Sequence, residues 1–214
     1  LVLNLPRSFT TSVSKQFEII SLILIRRIFA DIPKVDLSAD WFSTKENLEL
    51  IYNILGVLIL YYLIFLFNKA RHKLEKKPLT EIISKFVTSK KGVSLVLLFV
   101  LIVLSFTSAY NWGKELLLND SSGDINSVFY NEFFSVLILA DVLILLLSFQ
   151  YTERYSQIVR NTGFIISTVL IRLSFGVTGL ANISLVVSSV VFGLIILWVY
   201  NLTEKERRGR INIV

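Results

Sequence analysis

Five long blocks of Leu, Ile, Val and Phe run through the sequence, and their length constrains the fold more than any other feature. An α-helix of roughly 20 apolar residues crosses the hydrocarbon core of a bilayer, which is about 30 Å thick. Each block reaches this length and does not alternate apolar with charged residues. The sequence therefore predicts an all-α, polytopic transmembrane helical bundle with spanning helices over 48–68, 91–111, 128–150, 161–180 and 182–201.

The composition agrees with a membrane protein. Hydrophobic residues make up 54% of the 214 residues, and the mean hydropathy is +0.67. A water-soluble protein does not carry so large an apolar fraction. Because the loops between the blocks are too short for a water-exposed domain, we expect residues 1–214 to form a single integral membrane domain.

The last two blocks are separated by a short turn containing Gly176, Gly179 and Asn182. As one helix, 161–201 would have 41 residues, about twice the length that a bilayer needs. Gly and Asn commonly end helices and form turns. We therefore predict two crossings.

An earlier apolar block, 16–30, is shorter and carries Glu18, Arg26 and Arg27. A block of this length is too short and too charged for a confident spanning helix. It is interpreted as an interfacial or partly buried N-terminal helix.

Basic residues are distributed unequally between the alternate loops, which predicts the orientation of the chain. Fourteen lie in the loop 69–91, the connection 151–160 and the tail 202–214, against three in the other connections. Short cytoplasmic loops accumulate Lys and Arg. The C-terminus is therefore predicted to be cytoplasmic, in a membrane of the bacterial inner-membrane type. The orientation of the chain explains its net charge of +6, so this charge gives no reason to expect nucleic-acid binding.

Within the basic loop, Ile82, Ile83, Phe86 and Val87 recur at helical intervals. This spacing predicts a short amphipathic helix over 79–88 along the inner leaflet. A solvated loop that only enforces orientation is the alternative. In the first interpretation, the lysines that face anionic lipids or a partner are Lys76, Lys77, Lys85, Lys90 and Lys91.

Two opposite charges lie inside the predicted spans. Asp141 stands nine residues from the inner end of 128–150, and Arg172 stands eleven residues from the inner end of 161–180. Because those two helices are consecutive, the sequence predicts an intramembrane charged pair at similar depth. The pair either fixes helix register as a buried salt bridge or belongs to an ion or proton pathway.

Small residues recur at intervals of four in the last block. Ser184 precedes Ser188, and Ser189 precedes Gly193. Small residues at this spacing allow helices to approach closely in lipid. They are predicted helix-packing positions, within the chain or between subunits.

Several kinds of chemistry lack the residues they need. The chain has no Cys, and its single histidine is His72, so thiolate, disulfide and bis-histidine sites are excluded within one chain. Phosphate-binding, hydrolase and metalloprotease motifs are absent from the sequence. We expect no enzyme activity, no cofactor and no metal site.

The sequence thus predicts an integral membrane subunit of an ion-conducting or transport assembly, either a homo-oligomer or part of a membrane complex. The alternative is a structural or anchoring subunit that docks a cytoplasmic partner through its basic loop and tail. The mid-membrane charges favour the first function, because packing alone does not require them.

The predicted topology can be tested by cysteine labelling, since the chain has no native Cys. Cysteines at Lys76 and Asp120 should react with a membrane-impermeant reagent from opposite sides of the membrane. Labelling of both positions from the same side would contradict the prediction.

Overall fold

The computed structural model describes residues 8–35, 44–72, 81–118, 125–151, 154–177 and 179–211. These residues contain no β-strand, which confirms the prediction of an all-helical chain. A short 3₁₀ helix, Ile32–Lys34, follows the first helix. The α-helices of this part of the chain are Phe9–Asp31 (α1), Lys45–His72 (α2), Glu81–Leu118 (α3), Ile125–Tyr151 (α4), Tyr155–Ser174 (α5) and Gly179–Ile211 (α6).

Among the described residues, three helices are long and apolar enough to cross a membrane. They are the segments Asn47–Arg71 of α2, Val87–Tyr110 of α3 and Gly179–Arg207 of α6. A shorter apolar segment, Ser135–Gln150, lies in α4. The chain is therefore a membrane-embedded protein by length and composition of its helices.

The helices divide into two compact units. The first contains α1, α2, α5 and α6, and the second is the hairpin of α3 and α4. The first unit is thus built from both ends of the chain. The prediction of a single membrane domain stays a prediction, because one membrane domain can contain two compact helical units.

In the first unit, each helix packs against two others and the four form a closed ring. α5 packs against α6 and α1, while α2 packs against the same two helices. Asn53 of α2 donates a hydrogen bond to Asp31 at the end of α1, at 3.1 Å, and Ser14 near the beginning of α1 donates to Asn68 near the end of α2, at 2.5 Å, so α1 and α2 are antiparallel. Gly56 of α2 lies against Ile183 of α6, and Asn201 donates to the Ala70 carbonyl at 3.4 Å, so α6 is parallel to α2 and continues ten residues beyond this contact.

Three aromatic rings fill the centre of this ring of helices. The Phe17 and Phe67 ring centroids are 5.0 Å apart, and those of Phe67 and Phe164 are 5.8 Å apart, both edge to face. All three side chains are 0% exposed. Edge-to-face pairs stabilise by about 0.5–1.5 kcal/mol beyond the burial of their area. α1, α2 and α5 therefore meet in one apolar core.

The helix α1 begins at Phe9, seven residues before the predicted block 16–30. The Ser8 hydroxyl caps it by accepting a hydrogen bond from the Thr11 amide at 3.3 Å. Pro33 in the following 3₁₀ helix is consistent with its end at Asp31. α1 contacts α2 near both of its own ends, so it lies beside α2 over most of its length.

The predicted break between the last two blocks is confirmed as a turn between two helices. α5 ends at Ser174, where the Phe175 and Gly176 amides donate to the Arg172 and Leu173 carbonyls. Gly179 then begins α6 with a φ of +65°, which is strained for residues with a Cβ. The helix α5 begins at Tyr155, six residues before the predicted span 161–180, and the bounds of that span stay a prediction.

The segment Glu81–Val87 is part of α3, which is continuous over 38 residues. The prediction of a separate surface helix over 79–88 is therefore wrong. No proline interrupts the sequence after Glu81, and Gly92 alone does not end the helix. At 1.5 Å per residue, α3 is about 57 Å long, which exceeds the thickness of a bilayer.

The close approach of α5 and α6 at Gly163 can be tested by substitution. A Cβ at Gly163 would lie 2.7–2.9 Å from three Ile196 side-chain atoms, while a Cβ at Gly92 would meet nothing within 4 Å. Both Gly→Ala substitutions give a similar gain in helix propensity. We expect Gly163→Ala to be less stable than Gly92→Ala by about 1–3 kcal/mol, measured by unfolding in detergent. Equal stabilities would contradict the contact.

Candidate functional site

Ionisable and polar side chains are buried among apolar helices in both units. Asp141 is 5% exposed and Arg172 is 6% exposed. A charged group at the centre of a bilayer costs roughly 2.5–3.5 kcal/mol on insertion scales, so such groups mark functional sites by default. These two residues are therefore the starting point for a candidate site.

Asp141 lies in the second unit, on α4. It is ten residues from the last residue of that helix, Tyr151, and inside the apolar segment Ser135–Gln150. Ala140 and Ile144, which share its face of α4 at helical spacing, are also buried, whereas Val142 and Leu143 are exposed. The structure thus places Asp141 well inside an apolar helix, as the sequence predicts.

Arg172 lies in the first unit, in the last turn of α5. It is seventeen residues from Tyr155, the first residue of that helix, and eleven residues from Asn161, the inner end of the predicted span. The hydropathy pattern missed the first turns of α5 because Tyr155, Gln157 and Arg160 are polar. Counted along its own helix, Arg172 is therefore not near the middle, and its pairing with Asp141 stays a prediction.

Ser167 of α5 and Ser189 of α6 form a reciprocal pair of hydrogen bonds. Each hydroxyl donates to the other residue's backbone carbonyl at 2.7 Å, and both side chains are 0% exposed. Interhelical hydrogen bonds in membranes contribute about 0.6 kcal/mol on average and up to about 1.7 kcal/mol. This pair of hydrogen bonds joins α5 to α6 through uncharged side chains.

The predicted packing residues of α6 separate into two groups. Ser189 and Gly193 face the interior, and a Cβ at Gly193 would lie 3.0 Å from Phe17 and 3.1 Å from the Ser167 hydroxyl. Ser184 and Ser188 are exposed. Of the two predicted pairs of small residues, Ser189 and Gly193 therefore lie on the packed inner face of α6, and Ser184 and Ser188 lie on its outer face.

Polar contacts also join the helices near the turn between α5 and α6. The buried Asn182 side chain donates to the Ser174 carbonyl. On α2, the Glu49 carboxylate lies 3.2 Å from where a Cβ on Gly179 would be. An acidic group beside the first turn of a helix is favoured by the helix dipole. Sequence reasoning identified Asn182 only as a turn residue and did not identify Glu49.

At the opposite end of the unit, Glu18 of α1 accepts hydrogen bonds from several groups. Lys15 forms an ion pair with it at 2.5 Å. Asn68 donates to its Oε1 atom at 3.5 Å. The Ser14 hydroxyl donates to Asn68 at 2.5 Å and lies 3.5 Å from the same Oε1 atom. Lys15, Ser14 and Asn68 with Glu18 form the Glu18 cluster, which offsets the cost of placing a carboxylate between two apolar helices. In the sequence, the cluster is signalled by the helical spacing of Ser14 and Lys15, four and three residues before Glu18.

Arg160, near the beginning of α5, packs against Tyr200 of α6, eleven residues before that helix ends. Its guanidinium carbon lies 4.4 Å from the centroid of the Tyr200 ring, and its Nε and Nη2 donate to Asn161 at 3.2 and 3.0 Å. Burial lowers the pKa of the Arg160 guanidinium, while nearby Tyr200 and Glu204 act in the opposite direction. A cation over an aromatic face is attracted to it, so this contact fixes α5 against α6.

The predicted lipid-facing lysines lie in different environments. Lys91 is exposed, whereas Lys90 is only 2% exposed. Lys90 shares its face of α3 with the buried residues Ser94, Leu97 and Leu101, at helical spacing, so the expectation that it faces headgroups is not met. Lys85 lies in the first turns of α3. Lys76 and Lys77 lie outside the residues that the structure describes.

Comparison with known proteins gives no match: the chain matches no protein-family model, no curated protein and no solved structure. In the part of the chain that the structure describes, no group of three or more His, Asp or Glu side chains is placed to hold a metal ion. Its function must therefore be argued from its own residues.

Proposed function

We propose that the protein is an integral membrane subunit of an ion-conducting or transport assembly. The observation that carries this proposal is the burial of Asp141 and Arg172 in helices of a membrane-embedded chain. Ionisable groups are costly in that environment and commonly line ion or proton pathways. In the proposal, Asp141 is the group that binds the cation or proton.

The packing of the first unit supports an assembly of several chains. Phe17, Phe67 and Phe164 fill its centre, so a pathway along that axis would have to displace a packed aromatic core. A pathway is more easily formed between subunits than through this unit. We therefore propose that the functional form is an oligomer.

We further propose that α1 crosses the membrane as a sixth spanning helix. Its contacts with α2 lie at Ser14 and Asp31, seventeen residues apart, which corresponds to about 25 Å along a helix. That distance is most of the hydrocarbon thickness. An antiparallel neighbour of a spanning helix over such a length supports a transmembrane position more than an interfacial one.

Six crossings would place both ends of the described chain on the cytoplasmic side, as expected for an inner-membrane protein with a basic tail. A cysteine at Ser8 should then be labelled from the same side as one at Lys205. If α1 lay in the outer interface, Ser8 and Lys205 would be labelled from opposite sides. Cysteine at Asp120 is the control for the external side.

The second candidate function, an anchoring subunit, is favoured by a different observation. Helix α6 continues to Ile211, beyond the predicted membrane end at Asn201, and exposes Lys205 and Arg207. Each basic residue near an anionic surface contributes about 1 kcal/mol to its binding. A helix of this kind could hold a cytoplasmic partner or anionic lipids.

Ion flux with matched variants separates the two functions. Removing one partner of a buried ion pair typically costs about 3–5 kcal/mol, whereas replacing both can be nearly neutral. Asp141→Asn and Arg172→Gln should therefore each destabilise the protein in detergent, and the double variant should recover much of the loss. In liposomes, wild-type protein should conduct ions or protons and the folded double variant should not.

Normal flux in the folded double variant would limit the charges to a structural role. No flux from the wild-type protein, with Lys205→Gln weakening its binding to anionic vesicles, would favour the anchoring function. If the losses of the two single variants simply add, Asp141 and Arg172 do not interact.

A further inference from the structure

The outer surface of α2 carries tyrosine in the middle of a helix long and apolar enough to cross the membrane. Tyr62 is 61% exposed, and it stands fifteen residues from Asn47 and nine from Arg71, the ends of the apolar segment. These separations correspond to about 22 and 14 Å. Its hydroxyl therefore lies within the hydrocarbon, where lipid tails offer no hydrogen-bond acceptor and an unpaired hydroxyl is costly.

Tyr62 shares a surface with the exposed serines of α6. Around α2, the residues that contact α6 have a different neighbour on each side. On one side are Asn53 and Asn68, which contact α1, and on the other side is Tyr62. On α6, the residues that contact α5 lie on one side of those that contact α2, and Ser184 lies on the other side. Ser188 lies on the outer surface of α6, about 140° around the helix from the α2 contacts and about 100° from Ser189. The α2–α6 face, defined by Leu55, Ile59, Tyr62, Ser184, Ser188, Val191 and Ile195, therefore points away from α1 and α5.

The hydroxyl groups of this face lie at matching depths. Gly56 of α2 meets Ile183 of α6, and Ala70 meets Asn201, so Tyr62 stands at about the level of Val191. Helical side chains lean toward the N-terminus of their own helix. The Tyr62 hydroxyl therefore reaches about the level of Ser188.

From this match we propose that the α2–α6 face docks on the same face of a second copy of the chain. A two-fold axis along the membrane normal preserves the depth of every residue, so it brings Tyr62 of one copy to the level of Ser188 of the other. The small side chains of Ser184 and Ser188 let the second copy's α2 approach closely. This inference rests on the proposed oligomeric assembly and names its interface.

A neighbouring surface lacks this complementarity and provides a control. Tyr61, 71% exposed, points toward the side of α2 that flanks α1. The contacts of α1 with α2 place Leu22 at its level, and Leu22 and Ile23 are the exposed α1 residues there. Neither carries a hydroxyl. A second copy on that surface would gain no hydrogen bond between depth-matched side chains.

Oxidative crosslinking of the full chain in native membranes tests the interface. The double variant Tyr62→Cys, Ser188→Cys should give a covalent product of twice the chain mass, while the control Tyr61→Cys, Leu22→Cys should stay monomeric. Equal products from both variants would overturn the proposal. So would the absence of product from the first variant, or a product of the first variant with a different polypeptide.

A conservative variant tests the hydrogen bond itself. Tyr62→Phe keeps the ring and removes the hydroxyl, so it should weaken dimerisation in detergent by about threefold or more, while Tyr61→Phe should not change it. Unchanged dimerisation of Tyr62→Phe would overturn the role of the hydroxyl. If the protein conducts as an oligomer but the Tyr62→Cys, Ser188→Cys variant does not crosslink, this interface alone is wrong. If that variant crosslinks as a dimer but the protein gives no ion flux, only the transport function is wrong.

Discussion

The ring of Phe17 lies against Gly193, where α6 has no side chain, and this contact determines how closely the four helices of the first unit can approach. Helices in lipid gain little from the hydrophobic effect when they associate, so they depend on close packing and interhelical hydrogen bonds. A Cβ on Gly193 would lie 3.0 Å from Phe17 and 3.1 Å from the Ser167 hydroxyl, and Ser167 is hydrogen-bonded to Ser189. The aromatic core and the serine pair are thus parts of one packed centre.

The architecture was largely readable from the sequence, because apolar length and turn residues report on helices directly. Gly176 and Gly179 predicted the break before α6, and the structure has it. The errors fall where polar residues belong to a helix. The first turns of α5, which begins at Tyr155, are polar. Arg160 in these turns stacks on Tyr200, which is forty residues later in the sequence, and hydropathy does not report such a contact. In the same way, Glu18 obscured α1.

The candidate site was less predictable for a related reason. The sequence shows that Asp141 lies in an apolar helix, but it did not show that Arg172 lies in the last turn of α5, because hydropathy does not give the ends of that helix. The spacing of Ser189 and Gly193 predicted close packing, yet it could not identify Ser167 as the partner. Spacing defines the face of a helix, whereas the identity of the opposing helix is set by the fold as a whole.

The closed ring of four helices joins α1 and α2 to helices that are far from them in sequence, and this has a consequence for biogenesis. A ribosome delivers α1 and α2 before the α3–α4 hairpin, and the hairpin must follow before α5 and α6 complete the ring. During that interval Phe17 has no Gly193 to pack against. The Glu18 cluster uses only α1 and α2, so it can compensate the early carboxylate while the nascent chain waits in the membrane. The first two helices are thus equipped to persist as an insertion intermediate.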